Sequence, residues 1–103
     1  IRILNIDILS RSKIVKLFGD KAYAIRQIGS AVVELGWLAA GRYEGLIAPL
    51  TTPWDAGAGA LIVKEAGGLV SDWQGKDWQI DDKTLLVSNR LIHSQILRIS
   101  REI

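Results

Sequence analysis

The residue whose type and position most favour chemistry is Asp55, in the segment TTPWDAGAGA at residues 51–60. Pro53 suits the first position of a helix and Thr52 suits the capping position before it, so Asp55 falls in the first helical turn. A carboxylate there can fill the acidic position of a capping box and stabilise the helix by satisfying free amide groups. It can also bind a ligand, and the residues alone favour the capping interpretation.

Two glycines in the same helix indicate that something approaches it closely. Gly57 and Gly59 each cost roughly 1 kcal/mol relative to Ala in a helix interior. They predict that another backbone or a ligand lies against this face. The helix is expected over residues 53–66, because Gly67 and Gly68 then supply a left-handed stop.

A second candidate site begins at Gly29, which precedes a helix expected over residues 30–40. Gly29, Ser30 and Ala31 place free amide groups at the helix start, where the helix dipole and unpaired N–H groups favour an anion or polar oxygens. The alternative is an ordinary Ser30 N-cap preceded by a flexible residue, which is the usual outcome for a single segment of this kind.

Together the two segments resemble the inositol monophosphatase family. Its C-terminal signature reads Trp-Asp, then small residues, then an aliphatic run ending Glu-Ala-Gly-Gly, as at residues 54–68 here. Its Gly-Ser/Thr-Ala helix with an Ala-Ala/Ser-Gly-Arg ending is matched at residues 29–42, and the resemblance covers about residues 25–89. The family's metal-binding Glu and its Asp-Pro-x-Asp-Gly-Thr motif, which come earlier in the whole enzyme, do not occur in this sequence. The chain therefore resembles the C-terminal half of such an enzyme.

The resemblance implies a site that this chain supplies only in part. It implies that Asp55 ligates Mg²⁺ and lies near the substrate, which reverses the preference for a capping role. Gly29, Ser30 and Ala31 are implied to contact a hydroxyl-bearing substrate, and no catalytic residue is assigned in this chain. Because one carboxylate cannot hold Mg²⁺ usefully, the other ligands are expected from the missing N-terminal lobe.

The implied substrate is a phosphomonoester, either inositol phosphate or a related sugar or alcohol phosphate. Ala48 aligns with a position where inositol-selective members often carry a Glu that hydrogen-bonds substrate hydroxyls. Alanine cannot make that bond, so we expect a pocket that separates related alcohols only weakly. The single histidine, His93, is interpreted as a surface or core residue rather than a catalyst.

Length and composition predict one small α/β domain over residues 1–103. Hydrophobic residues make up 49% of the chain, which is high for so small a unit and predicts a lobe that packs against a partner. The apolar runs are too short to span a membrane and no signal segment is apparent, so a cytoplasmic location is expected. The net charge of +2 is dispersed, which argues against nucleic-acid binding, and zero cysteines exclude disulfides.

Strands and helices alternate along the chain, which predicts a largely parallel or mixed sheet sandwiched between helices. Strands are expected at residues 1–8, 22–28, 44–50, 69–72 and 84–88, and helices at 10–18, 30–40, 53–66 and from about residue 91. Residues 72–79 are interpreted as two arms that flank a turn at Gly75. Trp37 and Trp54 are expected in the core, and Trp73 and Trp78 are expected to shield a sheet edge.

Two functions remain open at this point. The favoured one is the C-terminal lobe of a Mg²⁺-dependent phosphomonoesterase that works as a homodimer, with this chain inactive by itself. The alternative is a truncated, noncatalytic lobe that binds a protein partner through its apolar face. A second carboxylate near Asp55 would favour autonomous catalysis, and the sequence shows none.

Overall fold

The structure, a computed structural model, describes residues 1, 3–6, 16–48 and 52–101. Strands and helices alternate within these residues much as the sequence predicts. They are β1 (Ile3–Ile6), β2 (Ala24–Arg26), α1 (Ala31–Ala39), β3 (Gly45–Ala48), α2 (Pro53–Glu65), β4 (Leu69–Ser71), β5 (Leu85–Ser88) and α3 (His93–Ser100). Most of the helix expected at residues 10–18 lies outside the described residues, and residues 16–18 are helical.

The five described strands form one sheet in the order β2-β1-β3-β5-β4. Strand β1 pairs in parallel with β2 and β3, whereas β5 pairs antiparallel with both β3 and β4. The α/β class and the mixed sheet are therefore confirmed. The parallel pairs are not in the majority because β4 joins β5 through a turn and a loop, with no crossover helix.

Helices cover both faces of this sheet, as the alternation of side chains along β3 and β5 requires. Leu46 and Leu85 belong to the core cluster that includes α1 and α2 residues, whereas Ile47 and Leu86 belong to the cluster that includes α3. The first cluster contains Leu35, Leu38, Ala56, Ala60 and Val63 from the helices, and the second contains Phe18 and Ile96. The three layers bring the start of each helix to an edge of the sheet.

Glycine ends both α1 and α2, as the sequence predicts. Gly67 has a φ of 93°, and its N–H donates to the carbonyl of Lys64 while the N–H of Gly68 donates to that of Val63. This pair of bonds is a Schellman motif, which satisfies carbonyl groups that a helix end leaves free. Gly41, with a φ of 81°, ends α1 in the same way.

The tryptophans divide differently from the prediction. Trp37 on α1 is 41% exposed and Trp54 on α2 is 80% exposed, so the expectation that they lie in the core is wrong in this structure. Both lie on helices whose outer faces no other described element covers. Trp78 is buried, and its backbone N–H donates to the carbonyl of Val70, so it does cover the free edge of β4. No helix among the described residues is long and apolar enough to cross a membrane.

Candidate functional site

Strand directions place the two segments predicted to bind ligands at one edge of the sheet. Strands β2 and β3 both run parallel to β1, so their carboxyl ends lie at the same edge. Helix α1 follows β2 and α2 follows β3, with residues 49–51 outside the described part. Gly29, Ser30 and Ala31 therefore start α1 at the edge where Asp55 lies in the first turn of α2. Carboxyl edges of open α/β sheets are common ligand sites.

Asp55 presents an exposed carboxylate, and it does not form the capping box that the sequence suggested as an alternative. The Thr52 hydroxyl makes no capping bond to the helix backbone. It donates instead to Oδ2 of Asp55 over 2.7 Å. The helix start is held by the carbonyl of Thr52, which accepts the N–H groups of Asp55 and Ala56 at 3.1 Å each. Thr52 therefore orients the carboxylate, and the reciprocal bonds that define a capping box are not formed.

The segment at Gly29 does form the ordinary cap that was its alternative interpretation. Ser30 has an extended backbone and its Oγ accepts the N–H of Val33 over 3.4 Å. The Ser30 side chain is half-buried, and a hydroxyl that accepts one bond still has its own O–H to donate. Gly29 has a φ of 90°, a left-handed conformation that favours glycine. Capping and ligand contact are therefore compatible at Ser30.

A buried acid that the sequence analysis did not single out supports this turn. Glu34 on α1 is fully buried, and its Oε2 accepts the N–H of Gly29 over 3.2 Å. The Tyr43 hydroxyl donates to the backbone carbonyl of Glu34. Glu34 thus ties the turn at Gly29 to the helix that follows it. The signal available in the sequence was one acid on an otherwise apolar helix, five residues after a glycine.

Ala48 lies in the core and not on the surface of the site. It ends β3, pairs with Leu85 and is 1% exposed. Its methyl group belongs to the cluster between the sheet and α1 and α2. In this structure it therefore contacts protein, and the choice of alanine at this position affects core packing first.

The oxygen atoms at this edge can supply part of a binding site for a hard cation, but not all of its ligands. Asp55 offers carboxylate oxygens, the type of ligand that Mg²⁺ takes one or two of, together with water and substrate phosphate. Within the ranges that the structure describes, no group of three or more His, Cys, Asp or Glu side chains lies close enough to hold a metal ion. Asp55 can serve as one ligand of such a cation, and further ligands must come from elsewhere.

The architecture defines an α/β lobe in which two parallel helices start at the carboxyl edge of a mixed sheet. Residues 5–103 match the profile of the inositol monophosphatase family. The chain is 35% identical over 91 residues to a Thermotoga maritima protein named fructose-1,6-bisphosphatase/inositol-1-monophosphatase. It is 48% identical over 60 residues to the Escherichia coli Nus factor SuhB, a match that covers 58% of this chain and 22% of that protein. The chain belongs to the inositol monophosphatase family.

A solved structure of a Thermotoga maritima IMPase shows the same fold, with a TM-score of 0.93 and 31% identity. That comparison covers 98% of this chain and 41% of the IMPase chain. The sequence match to the Thermotoga maritima relative covers 88% of this chain and 36% of the relative. The chain thus spans well under half the length of these relatives.

Proposed function

We propose that residues 1–103 form one α/β domain, the C-terminal lobe of a Mg²⁺-dependent phosphomonoesterase. The observation that carries this proposal is the exposed carboxylate of Asp55 at the sheet edge where Gly29, Ser30 and Ala31 also lie. Family membership supports phosphatase chemistry in the whole protein. Asp55 acts as one ligand of the cation, and Thr52 orients it through the 2.7 Å hydrogen bond to Oδ2.

When bound, Mg²⁺ would activate the attacking water and stabilise the leaving oxygen. The role of this chain is to hold one side of that site. The exposed amide groups at the start of α1 and the Ser30 hydroxyl face substrate oxygens, because a helix N-terminus favours negatively polarised groups. Glu34 keeps the turn at Gly29 in place beneath them.

The substrate we propose is inositol phosphate or a related sugar or alcohol phosphate. Ala48 offers no carboxylate to a substrate hydroxyl because it is an alanine buried among core side chains, and a site without such a partner separates related alcohols by only about 1–3 kcal/mol. The Thermotoga maritima relative, whose name includes both a sugar bisphosphatase and an inositol phosphatase, supports broad selectivity. We expect kcat/KM values for inositol phosphate, a sugar phosphate and glycerol phosphate within about a hundredfold of one another.

The partner we propose is the N-terminal lobe of the same fold, seated on the outer faces of α1 and α2. Large apolar side chains are exposed there, at Val32, Val33 and Trp37 on α1 and at Trp54, Leu61 and Ile62 on α2. Trp54 and Leu61 are seven residues apart, as are Asp55 and Ile62, so each pair shares a helix face and the two faces adjoin. A lobe seated on this face would bring its own ligands to Asp55. The complete enzyme is proposed to be a cytoplasmic homodimer.

A chimera tests this function directly. The 103-residue chain would replace the matching segment of the Thermotoga maritima relative, and phosphate release would be measured with Mg²⁺ and inositol phosphate. We expect the chimera to turn over and the isolated chain to show neither turnover nor tight Mg²⁺ binding by calorimetry. Stoichiometric Mg²⁺ binding or turnover by the isolated chain would show that the active site is not divided between two lobes.

A second candidate function is a noncatalytic lobe that binds a protein partner. The observation that favours it is the 48% identity to a protein named as a Nus factor. In that case the same apolar face of α1 and α2 would bind the partner. A folded chimera that binds Mg²⁺ but releases no phosphate from any substrate of the panel would favour this function over the phosphatase.

A further inference from the structure

The single histidine joins three elements through buried hydrogen bonds. His93 is the first residue of α3 and is 5% exposed. Its Nε2 lies 2.7 Å from Oγ of Ser71 at the end of β4, and its Nδ1 lies 2.7 Å from Oγ of Ser88 at the end of β5. The register pairs Ser71 with Leu86, so both serines lie on the face of the sheet that α3 covers.

The other partners of the two hydroxyl groups fix the protons in this network. The Ser71 hydroxyl also contacts the carbonyl of Asp72 at 2.8 Å, which can only accept, so Ser71 donates there and accepts Nε2–H from His93. Oγ of Ser88 accepts the N–H of Arg90 at 3.1 Å and donates its own proton to Nδ1 of His93. Every donor and acceptor is satisfied when the imidazole is neutral and carries its proton on Nε2.

A second proton on the imidazole breaks this arrangement. Nδ1 would then carry a proton and could no longer accept from Ser88, so the Ser88 hydroxyl proton would lose its acceptor in a fully buried place. The positive charge would also lie at the N-terminus of α3, where the helix dipole disfavours a cation. Both costs are smaller once α3 moves off the sheet, because water then supplies hydrogen-bond partners and weakens the interaction of His93 with the helix dipole.

We propose that Ser71, His93 and Ser88 form an acid-sensitive latch, which holds the first turn of α3 on the sheet while His93 is neutral and releases it on protonation. The side chains of two charged residues close in sequence to the network, Asp72 and Arg90, form hydrogen bonds to the backbone and none to His93 among the described contacts. Oδ1 of Asp72 accepts two N–H groups of its own turn, and Nε of Arg90 donates to the carbonyl of Gly67. Arg98 lies in the last turn of α3, at the other end of the helix from His93.

Burial supports the direction of this switch, because it lowers the pKa of His93 below its ordinary value of 6.5. With α3 released, the imidazole regains that ordinary pKa and binds the proton more tightly than with α3 docked. The docked state is therefore most stable relative to the released state above pH 6.5, and it becomes less stable as the pH falls from 6.5 toward the lowered pKa of His93.

Hydrogen exchange on the full 103-residue chain tests the latch. Protection factors would be measured between pH 7.5 and 5 for the amides of Ile96 in α3, of Arg101 at the C-terminal cap of α3 and of Ala66 at the end of α2. We expect the protection of α3 amides to fall relative to that of Ala66. The fall should be about tenfold for each unit by which the pKa of His93 is lower in the docked state than in the released state. An equal loss of amide protection in both helices, or no loss of protection in α3, would contradict the proposed latch.

Two further measurements keep the proposal falsifiable if a variant fails to fold. Nitrogen chemical shifts of the imidazole in the unmodified chain should show Nε2 protonated and Nδ1 bare at pH 7.5, and the opposite tautomer would contradict the network. His93→Gln, which cannot titrate, should make α3 protection independent of pH, whereas the matched control Ser94→Ala on the exposed side of α3 should keep the wild-type profile. A pH-dependent loss that persists in a folded His93→Gln chain would assign the effect to another group.

Discussion

Gly59 on α2 lies directly against Leu35 on α1, so that a Cβ added at Gly59 would be 2.5 Å from Cδ1 of Leu35. Real Cβ atoms do not approach that closely, and Leu35 is fully buried with little room to move. The glycine therefore sets the separation of the two helices that carry the candidate site. Gly57, by contrast, faces only the flexible end of Ile80 at 3.3 Å. The glycines predicted that a backbone or a ligand approaches this face, whereas the close neighbour at Gly59 is the Leu35 side chain.

The first prediction is that Gly59→Ala destabilises the chain although alanine is the better helix former. Overpacking a tight core costs about 1–3 kcal/mol, which exceeds the gain of roughly 1 kcal/mol in helix propensity. The matched control is Gly36→Ala on α1, where an added Cβ meets nothing within 4 Å. Urea unfolding should show a lower free energy of unfolding for Gly59→Ala and one higher by up to about 1 kcal/mol for Gly36→Ala. A higher free energy of unfolding for both variants would mean that the Leu35 side chain moves away from the added Cβ at little cost.

The sequence predicted the helix ends and the place of Asp55 in the first turn of α2 because glycine, proline and threonine have local conformational preferences that act within a few residues. The common edge at which α1 and α2 begin came only from the parallel pairing of β1 with β2 and β3. It did not predict the exposure of Trp37 and Trp54, because an apolar helix face looks the same whether or not another element of the chain covers it. It also missed the bonds of His93 to Ser71 and Ser88. Those depend on the register of an antiparallel strand pair, which no local preference determines.

The second prediction concerns Asp55→Asn in the chimera with the Thermotoga maritima relative. The change keeps a polar side chain beside Thr52 but removes the charge that a cation needs. Activity should fall by more than about a hundredfold, because losing even the residues that support metal ligands costs about 10–100-fold. The unfolding free energy should change by less than about 0.5 kcal/mol, as for most surface changes.

Asp81→Asn, at an exposed acid in the turn before β5, is the matched control for that experiment. It should leave both activity and stability unchanged. If Asp55→Asn lowers the melting temperature and the remaining folded protein keeps its activity, Asp55 has a structural role and the ligand assignment fails.

The third prediction is that Ser88→Ala lowers the free energy of unfolding at pH 7.5, where His93 is neutral. The change removes the proton donor to Nδ1 of His93 and the acceptor of the Arg90 N–H, in a place that is fully buried. Leaving buried polar groups without partners costs about 1–3 kcal/mol, which urea unfolding can measure. Ser94→Ala should stay within about 0.5 kcal/mol of the wild type. An equally small effect of Ser88→Ala would mean that water replaces the hydroxyl.

The last prediction concerns the apolar face of α1 and α2. Leu61→Glu changes a side chain that is already 60% exposed in this chain, so the isolated chain should keep its stability to within about 0.5 kcal/mol. In the chimera the same residue should be covered by the added lobe, and a buried, unpaired carboxylate there should cost about 3 kcal/mol or more. Leu91→Glu is the matched control, because Leu91 is 85% exposed and lies before α3 on another part of the surface. Thermal unfolding of both variants in both contexts measures the difference. If Leu61→Glu is harmless in an active chimera, the N-terminal lobe does not sit on this face.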